Sequence, residues 1–308
     1  MRRRLTCLFL AGLSCAPGAA ASAPEGEWRP RPVRDAAEPA TVVERAAPSE
    51  WREIDPDNLL LMRLKDGGLV AIELAPAFAP VHVANIRALA RFGWWRDSAV
   101  YRVQDNYVVQ WGHNEGDRTL PDGIVARPPA EYERPAAGLA VRPLGYPDSY
   151  APAAGHADGW PVGSDPDRGT TWLAHCYGMV GAGRDLAPDT GLGGELYAVI
   201  GHAPRHLDRN IALVGRVVDG MAVLSGRPRG TGALGFYEDR AADIPIADVR
   251  LAADVPEAER PRYEVLRTDG AAFASYITGR ANRGGDFFQE PAGGVDLCNV
   301  QVPVRRKR

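Results

Sequence analysis

The sequence that decides the fold is YRVQDNYVVQWG, which runs from Tyr101 to Gly112. Together with Val100 before it, this stretch gives two segments rich in β-branched and aromatic residues, at positions 100–103 and 107–112, and such segments favour β-strands. Polar side chains also occur inside these segments, at Arg102 and Gln110. The stretch therefore predicts two neighbouring strands that carry an arginine and a glutamine among apolar side chains.

Further strands and two helices surround this pair. The apolar runs 60–64 and 69–74 are separated by Lys65-Asp66-Gly67-Gly68, which indicates a hairpin. A helix is predicted to begin near Pro80, because proline suits a first helical turn, and to end at Gly93. Candidate strands follow at residues 173–180, 196–200, 211–217 and 244–251, with a short helix at 220–224. Strands and helices do not alternate regularly, which argues against a doubly wound α/β sheet and favours a closed antiparallel barrel plugged by helices.

A second stretch extends the pattern. It comprises GGELY at Gly193–Tyr197, RHLD at Arg205–Asp208 and VGRVVDGM at Val214–Met221. Together with residues 101–112, it resembles the active-site strands of the cyclophilins, a family of peptidyl-prolyl cis/trans isomerases. The resemblance covers residues 59–251 apart from a long insertion. It implies a mainly β fold, with a closed eight-stranded antiparallel barrel capped by two helices.

The resemblance implies catalysis that needs no nucleophile, metal or cofactor. Rotation about an X-Pro amide is opposed by a resonance barrier of about 18–20 kcal/mol. A catalyst therefore needs a donor to the prolyl nitrogen and an apolar slot for the ring, both of which favour the twisted amide. Arg102 matches the family's donor, and Gln110 matches the glutamine that positions the substrate and the arginine. The substrate-binding positions match Tyr107, Val108, Tyr197 and Leu207 in the slot, and Arg184, Glu195 and His206 beside it.

Several positions depart from the family pattern. Glu195 replaces a glutamine, Arg184 replaces an asparagine that grips the substrate backbone, and Ile211 replaces a histidine. Tyr101 stands where typical members have a histidine before the arginine. Glu195 is expected to pair with Arg102 and either to orient it or to occupy it. Two functions stay open: an isomerase that assists the folding of exported proteins, and a non-catalytic module that binds peptides or serves as an envelope scaffold.

The N-terminus predicts export. Three arginines at positions 2–4 precede an apolar segment, residues 5–16, which is too short to span a bilayer. Ala21-Ser22-Ala23 then fits the cleavage pattern of a signal peptide. We therefore predict a signal peptide at residues 1–23 and a periplasmic or secreted protein. The alternative is a lipid anchor at Cys15, although the preceding residues fit a lipobox poorly.

The rest of the chain divides by composition. Residues 24–58 are rich in Pro and Ala and predict an extended leader. Residues 59–252 form the cyclophilin-like domain, and residues 253–308 are a C-terminal extension with one helix at 271–280. The insertion at 113–170 is rich in Pro and Gly, but its tyrosines and its tryptophan indicate packing onto the barrel. We expect it to form one wall of the substrate groove.

Charge gives no reason to expect a nucleic-acid or membrane partner. The chain has 36 Lys and Arg against 39 Asp and Glu, a formal net charge of −3, and no later segment apolar enough to span a membrane. The expected partners are proline-containing polypeptides. Removal of the signal peptide leaves Cys176 and Cys298, which form either a disulfide, as an oxidising compartment favours, or two buried thiols.

Overall fold

The computed structural model describes residues 32–113 and 118–307, so the predicted signal peptide lies outside the described residues. Four α-helices occur there: α1 Pro39–Arg45, α2 Pro80–Phe92, α3 Met221–Ser225 and α4 Ala271–Ala281. Sixteen β-strands occur in the same part of the chain: β1 Trp51–Glu53, β2 Leu59–Leu64, β3 Leu69–Leu74, β4 Ala99–Val103, β5 Val108–Gly112, β6 Arg134–Pro135, β7 Val141–Pro143, β8 Ala153–Ala157, β9 Trp160–Asp165, β10 Thr170–Leu173, β11 Met179–Ala182, β12 Leu196–Val199, β13 Leu213–Asp219, β14 Ile244–Leu251, β15 Tyr263–Leu266 and β16 Val304–Arg306. None of the helices in this part of the chain is long and apolar enough to span a bilayer.

Eight strands close into an antiparallel barrel in the order β11-β12-β5-β4-β14-β2-β3-β13. Successive side chains of a strand point to opposite faces, so Val109 and Trp111 of β5 lie in the barrel core while Gln110 lies outside it. Ile86 of α2 and Leu224 of α3 pack into the same core. The predicted fold class, a mainly β protein with a closed eight-stranded barrel capped by two helices, is confirmed.

Helix α2 follows its sequence signals closely. It begins at Pro80 and is terminated by Gly93, whose φ of 77° is left-handed and therefore suits glycine. The first turn of a helix has backbone N–H groups without helical partners. The carboxylate of Glu131, from the insertion, accepts hydrogen bonds from the backbone N–H groups of Val81 at 2.9 Å and His82 at 3.0 Å. The insertion therefore caps a helix of the barrel domain.

The predicted strand at residues 173–180 is wrong, because this segment contains two strands and a turn. β10 ends at Leu173 and β11 begins at Met179. Gly178 lies between them with a φ of 83°, which an extended strand does not allow. Only β11 belongs to the barrel, whereas β10 pairs with β9 of the insertion. The turn therefore lies at the junction between the barrel and the insertion.

The insertion folds into a sheet of its own. Its strands, together with β10, pair in the antiparallel order β6-β10-β9-β8-β7. Trp160 and Val162 of this sheet share a buried core with Phe273 and Ile277 of α4. The insertion and the C-terminal extension, although distant in sequence, therefore pack together beside the barrel.

Residues 32–58 also belong to this packed region, whereas the sequence predicted an extended leader there. Helix α1 packs against α4. Strand β1 pairs with β15, which in turn pairs with β16, so this three-stranded sheet joins the two ends of the described chain. Trp51 in β1 is buried. The sequence did not indicate this strand, because three residues are too few to show a period and their pairing partner lies about 200 positions away.

Cys176 and Cys298 form a disulfide, which decides between the two alternatives that the sequence left open. Cys176 lies in the turn before β11, and Cys298 lies in the short 3-10 helix Leu297–Asn299 of the extension. The two residues are separated by 122 positions. The bond therefore ties the extension to the junction between the barrel and the insertion.

We predict that loss of this bond weakens the fold considerably. In the chain-entropy view, a disulfide that closes so long a loop stabilises a protein by roughly 4–5 kcal/mol. The double variant C176S/C298S should therefore unfold at lower urea concentration, with a free energy of unfolding lower by about that amount. Mass spectrometry of the unreduced wild type should show two hydrogens fewer than the reduced chain. Two titratable thiols in the unreduced protein would contradict the prediction.

His156 is a fully buried histidine in β8. Its Nε2–H donates to the carbonyl of Val300 at 3.0 Å, and its ring packs edge-on against Phe273. Burial lowers the pKa of His156 from 6.5 to about 4. Between these two values the unfolded chain binds a proton that the folded protein excludes. Folding stability from this residue is therefore complete above about pH 6.5 and is lost as the pH falls towards 4.

We predict that His156 makes the protein sensitive to acid. The free energy of unfolding should fall by about 3 kcal/mol more in the wild type than in H156N between about pH 7 and pH 4, because asparagine does not titrate. Urea denaturation at a series of pH values measures this difference. Equal pH dependence in the two proteins would show that His156 is not responsible.

Candidate active site

A row of residues crosses the outside of the barrel. Gly181 of β11 lies opposite Tyr197 of β12, which lies opposite Gln110 of β5, which lies opposite Arg102 of β4. Arg102 in turn forms a β-bridge with Phe236 in the loop before β14. Strand register therefore places the two predicted catalytic residues and one slot residue side by side on one surface.

A β-bulge changes this row at Tyr101. Val100 pairs with Trp111 and Arg102 pairs with Gln110, so Tyr101 is an extra residue in β4. Its ring is buried and stacks on Phe236 at 5.8 Å. Its hydroxyl contacts both Gln110 and Glu195. Because of the bulge, Tyr101 and Arg102 both contribute to the site although they are adjacent in sequence.

Arg102 is held by three acceptors. Its Nε–H donates to the carbonyl of Leu234 at 2.7 Å, one Nη1–H donates to Gln110 Oε1 at 3.0 Å, and one Nη2–H donates to Gln104 Oε1 at 2.5 Å. The guanidinium also lies 5.3 Å from the centre of the Phe236 ring. Partial burial lowers the pKa of Arg102, but arginine keeps its charge at any physiological pH. Arginine has five N–H donors, so within the described structure two remain for a substrate.

Gln110 connects Arg102 to Glu195. Its Oε1 accepts from Arg102, and its Nε2–H groups donate to the Tyr101 hydroxyl at 2.7 Å and to Glu195 Oε2 at 3.2 Å. The Tyr101 hydroxyl also donates to Glu195. Among the described residues, Glu195 makes no ion pair with Arg102. The expected pairing is wrong because Gln110, on the strand between them, occupies the intervening space.

The apolar part of the site lies next to Gln110. Val108, Tyr197 and Val199 form a small cluster outside the barrel core, and Tyr107 and Ile211 pack against it. A cavity of about 740 Å³ opens here. The predicted site residues that line this cavity are Arg102, Tyr107, Val108, Gln110, Arg184, Glu195, Tyr197 and Leu207.

Two predicted substrate-binding residues have partners of their own. His206 is exposed and stacks on the ring of Tyr107, with 6.3 Å between ring centres, so it supports the slot from its outer side. Arg184 donates through Nε to the carbonyl of Asn210 at 3.0 Å and through Nη1 to the carbonyl of Asp185 at 2.6 Å. Arg184 therefore lines the cavity with part of its hydrogen-bonding capacity already used.

The walls of the cavity differ from the expectation. Among its described residues, the insertion lines the cavity through the first ones, His113, Arg118 and Leu120, while its sheet packs elsewhere. A second wall comes from the loop before β14, where Leu234 is 65% exposed and has a φ of 56°. This rare backbone conformation accompanies the carbonyl bond to Arg102. Nothing in the sequence singles out Leu234 as a site residue, although the three glycines around it, at 230, 232 and 235, indicate a tightly folded loop.

We predict that Glu195 gives the site a pH dependence. Burial raises the pKa of Glu195 above its usual 4.5. The hydrogen bonds from Tyr101 and Gln110 lower this pKa, but burial has the larger effect. As the pH falls, Glu195 therefore binds a proton earlier than an exposed glutamate, and the protonated group accepts both bonds less well. Turnover of X-Pro peptides, the activity that the resemblance implies, should decline in the wild type as the pH falls into the acid range, whereas turnover by E195Q should stay flat.

Exchange spectroscopy by NMR on a proline peptide measures turnover at each pH without a coupling protease. D105N is the matched control, because Asp105 is exposed and paired with Arg229 outside the cavity. Its profile should follow the wild type. A decline of equal size in E195Q would assign the pH dependence to another group.

Comparison with known proteins agrees with this geometry. A family model described as cyclophilin type peptidyl-prolyl cis-trans isomerase/CLD matches residues 59–246. The crystal structure of cyclophilin AquaCyp293 from Hirschia baltica is similar with a TM-score of 0.62 and 25% identity, over 84% of this chain and 94% of that one. Probable peptidyl-prolyl cis-trans isomerases from Brucella suis and Brucella abortus are 45% and 43% identical over 58 residues. That segment is 19% of this chain and only 29% of the length of each Brucella relative.

Proposed function

Because the chain belongs to the cyclophilin-type peptidyl-prolyl cis-trans isomerase family, we propose that it catalyses the cis/trans isomerisation of X-Pro bonds in polypeptides. One observation carries the proposal. Arg102 is fixed beside an apolar slot, by Gln110, Gln104 and the carbonyl of Leu234, with two N–H groups left for a substrate. A fixed cation next to an apolar slot is what an enzyme needs in order to bind a twisted prolyl amide.

The mechanism follows from differential binding. In the twisted amide the nitrogen lone pair is no longer delocalised, so it accepts a hydrogen bond that the planar amide cannot accept. The slot formed by Tyr107, Val108, Tyr197 and Leu207 holds the proline ring, and Arg102 donates to the nitrogen. The three existing bonds of Arg102 keep it in place, so little reorganisation is needed when the amide twists. None of these steps requires a nucleophile or a metal ion.

We further propose that the protein is exported to the periplasm or secreted, and that it assists the folding of exported proteins there. The sequence of residues 1–23 supports this proposal, since it has the pattern of a signal peptide. The disulfide between Cys176 and Cys298 also supports it, because such bonds persist in oxidising compartments. Cell fractionation with an antibody against the mature chain tests the location. Recovery of uncleaved chain from the cytoplasm would contradict it.

A non-catalytic role in peptide binding is the second candidate function. The observation that favours it is Arg184, which replaces the family's backbone-gripping asparagine and already donates to two carbonyl groups. A site of this kind would hold a proline segment without speeding its rotation. An isomerisation assay on the wild type separates the two functions directly.

We predict that R102A lowers kcat/KM for a proline tetrapeptide by roughly 10²–10³-fold, which is the typical effect of removing one fixed donor to a transition state. The variant should remain folded, because Arg102 is only partly buried. R229A is the matched control, since Arg229 is an arginine of the neighbouring loop whose partner is Asp105. It should keep wild-type turnover. Undiminished turnover by folded R102A would overturn the mechanism.

A further inference from the structure

Tyr197 brings a hydroxyl group to a slot that must be apolar. It stands at a position where the family has phenylalanine, and it is 5% exposed. A buried hydroxyl without a partner is costly, and a hydroxyl pointing into the slot would oppose the binding of a proline ring. In the structure the Tyr197 hydroxyl instead contacts Nε2 of His175 at 3.0 Å, and the two rings are nearly parallel. His175 is itself fully buried.

The partner of the other ring nitrogen of His175, Nδ1, decides which atom donates in this hydrogen bond. Asp208 Oδ1 lies 2.9 Å from Nδ1 of His175 and accepts from its backbone N–H at 2.9 Å. Burial lowers the pKa of His175, so the ring is neutral. Burial alone would raise the pKa of Asp208, but the bond from His175 and the charge of Arg205 lower it, so this carboxyl is ionised. An ionised carboxylate only accepts, which places the ring proton on Nδ1 and makes Nε2 the acceptor of the Tyr197 hydroxyl.

The hydrogen bonds that hold His175 continue through Asp208 and Arg205 into the insertion. Arg205 donates through Nε to Asp208 Oδ2 at 2.6 Å, and through both Nη atoms to the carboxylate of Asp148 at 2.9 and 3.0 Å. The side chains of Arg205, Asp208 and Asp148 are at most 4% exposed. Bidentate arginine–carboxylate pairs of this kind fix geometry well. A continuous buried chain of hydrogen bonds therefore runs from the insertion to the slot.

Gly181 provides the space that Tyr197 needs. It faces Tyr197 across the pair of β11 and β12. A Cβ atom at position 181 would lie 2.3 Å from both Cζ and the hydroxyl oxygen of Tyr197, closer than such contacts occur. The tyrosine ring therefore lies over the bare backbone of Gly181. Gly181 therefore provides space for the ring of Tyr197, and His175 provides the acceptor for its hydroxyl.

We propose that His175 is a positioning residue that keeps the hydroxyl of Tyr197 out of the proline slot, and that the insertion holds His175 in place through Asp148, Arg205 and Asp208. The slot then presents the apolar part of the tyrosine ring to the substrate. This inference rests on the proposed function, since it assigns a role within the same site. Without His175 the buried hydroxyl has no acceptor, so the whole tyrosine side chain is expected to move about χ1 and to carry the hydroxyl towards the slot, which weakens proline binding in both the planar and the twisted states.

The test uses the full mature chain with H175N, Y197F and the double variant H175N/Y197F. The side-chain amide of asparagine has an N–H close to the position of Nδ1, so it can still donate to Asp208. It is too short to reach the hydroxyl of Tyr197. H175N should lower kcat/KM on a proline tetrapeptide by about tenfold, mainly through KM. In the Y197F background no hydroxyl remains to be misplaced, so adding H175N should change kcat/KM by less than about twofold.

H156N is the matched control, because His156 is also fully buried and also bonds through Nε2, in its case to a backbone carbonyl, and it does not line the cavity. It should lose stability without losing kcat/KM. A merely structural role for His175 predicts equal losses from H175N in both backgrounds, and that result would overturn the proposal. Wild-type protein without turnover would instead refute the proposed function. The Kd for the peptide is then measured for H175N, Y197F, H175N/Y197F and H156N. The proposal requires that H175N raises Kd when Tyr197 is present and leaves it unchanged in the Y197F background.

Discussion

A buried carboxylate, Glu73 on β3, joins the three parts of the molecule. It is 3% exposed and accepts from Arg52 of the N-terminal segment at 2.8 Å and from Arg216 of β13 at 2.7 and 3.0 Å. Arg216 also donates to the carbonyl of Gly159 at 2.5 Å and lies 4.5 Å from the centre of the Trp160 ring, both in the insertion. A buried carboxylate without partners costs several kcal/mol. Both oxygens of Glu73 are therefore paired only when the N-terminal segment packs onto the barrel, and Arg216 links this buried ion pair to the insertion.

This constraint explains why the added segments belong to one structure with the barrel. The insertion caps α2 through Glu131, reaches Arg216 through Gly159, and meets the buried chain behind the slot through Asp148. The disulfide of Cys176 then fixes the C-terminal extension to the same junction. The insertion thus influences the site mainly through Asp148, behind the slot. Among its described residues, only His113, Arg118 and Leu120 line the cavity.

The positions of individual strands could be predicted from the sequence, whereas the contacts that arise when strands pair could not. Residue composition was enough to predict β4 and β5 with Arg102 and Gln110 among their apolar side chains, and the family pattern matched Arg102 and the slot residues. The bulge at Tyr101 could not be foreseen, because it is defined by the partner strand. The expected pairing of Glu195 with Arg102 failed for a similar reason, since the intervening position of Gln110 is known only from the strand order. His175 was hidden inside a segment read as one strand.

Two of the departures from the family pattern, Glu195 and Tyr197, are each matched by a neighbouring residue. The carboxylate of Glu195 receives a hydroxyl donor from Tyr101, which replaces the usual histidine. The hydroxyl of Tyr197 receives an acceptor from His175 and space from Gly181. A site that had lost its function would be expected to collect unpaired polar groups, because nothing would preserve an apolar slot beside a fixed arginine. Here the polar atoms of Tyr101, Glu195 and Tyr197 have hydrogen-bond partners among protein side chains, and Arg102 keeps its three supports. This pattern favours the catalytic function over a passive peptide-binding one.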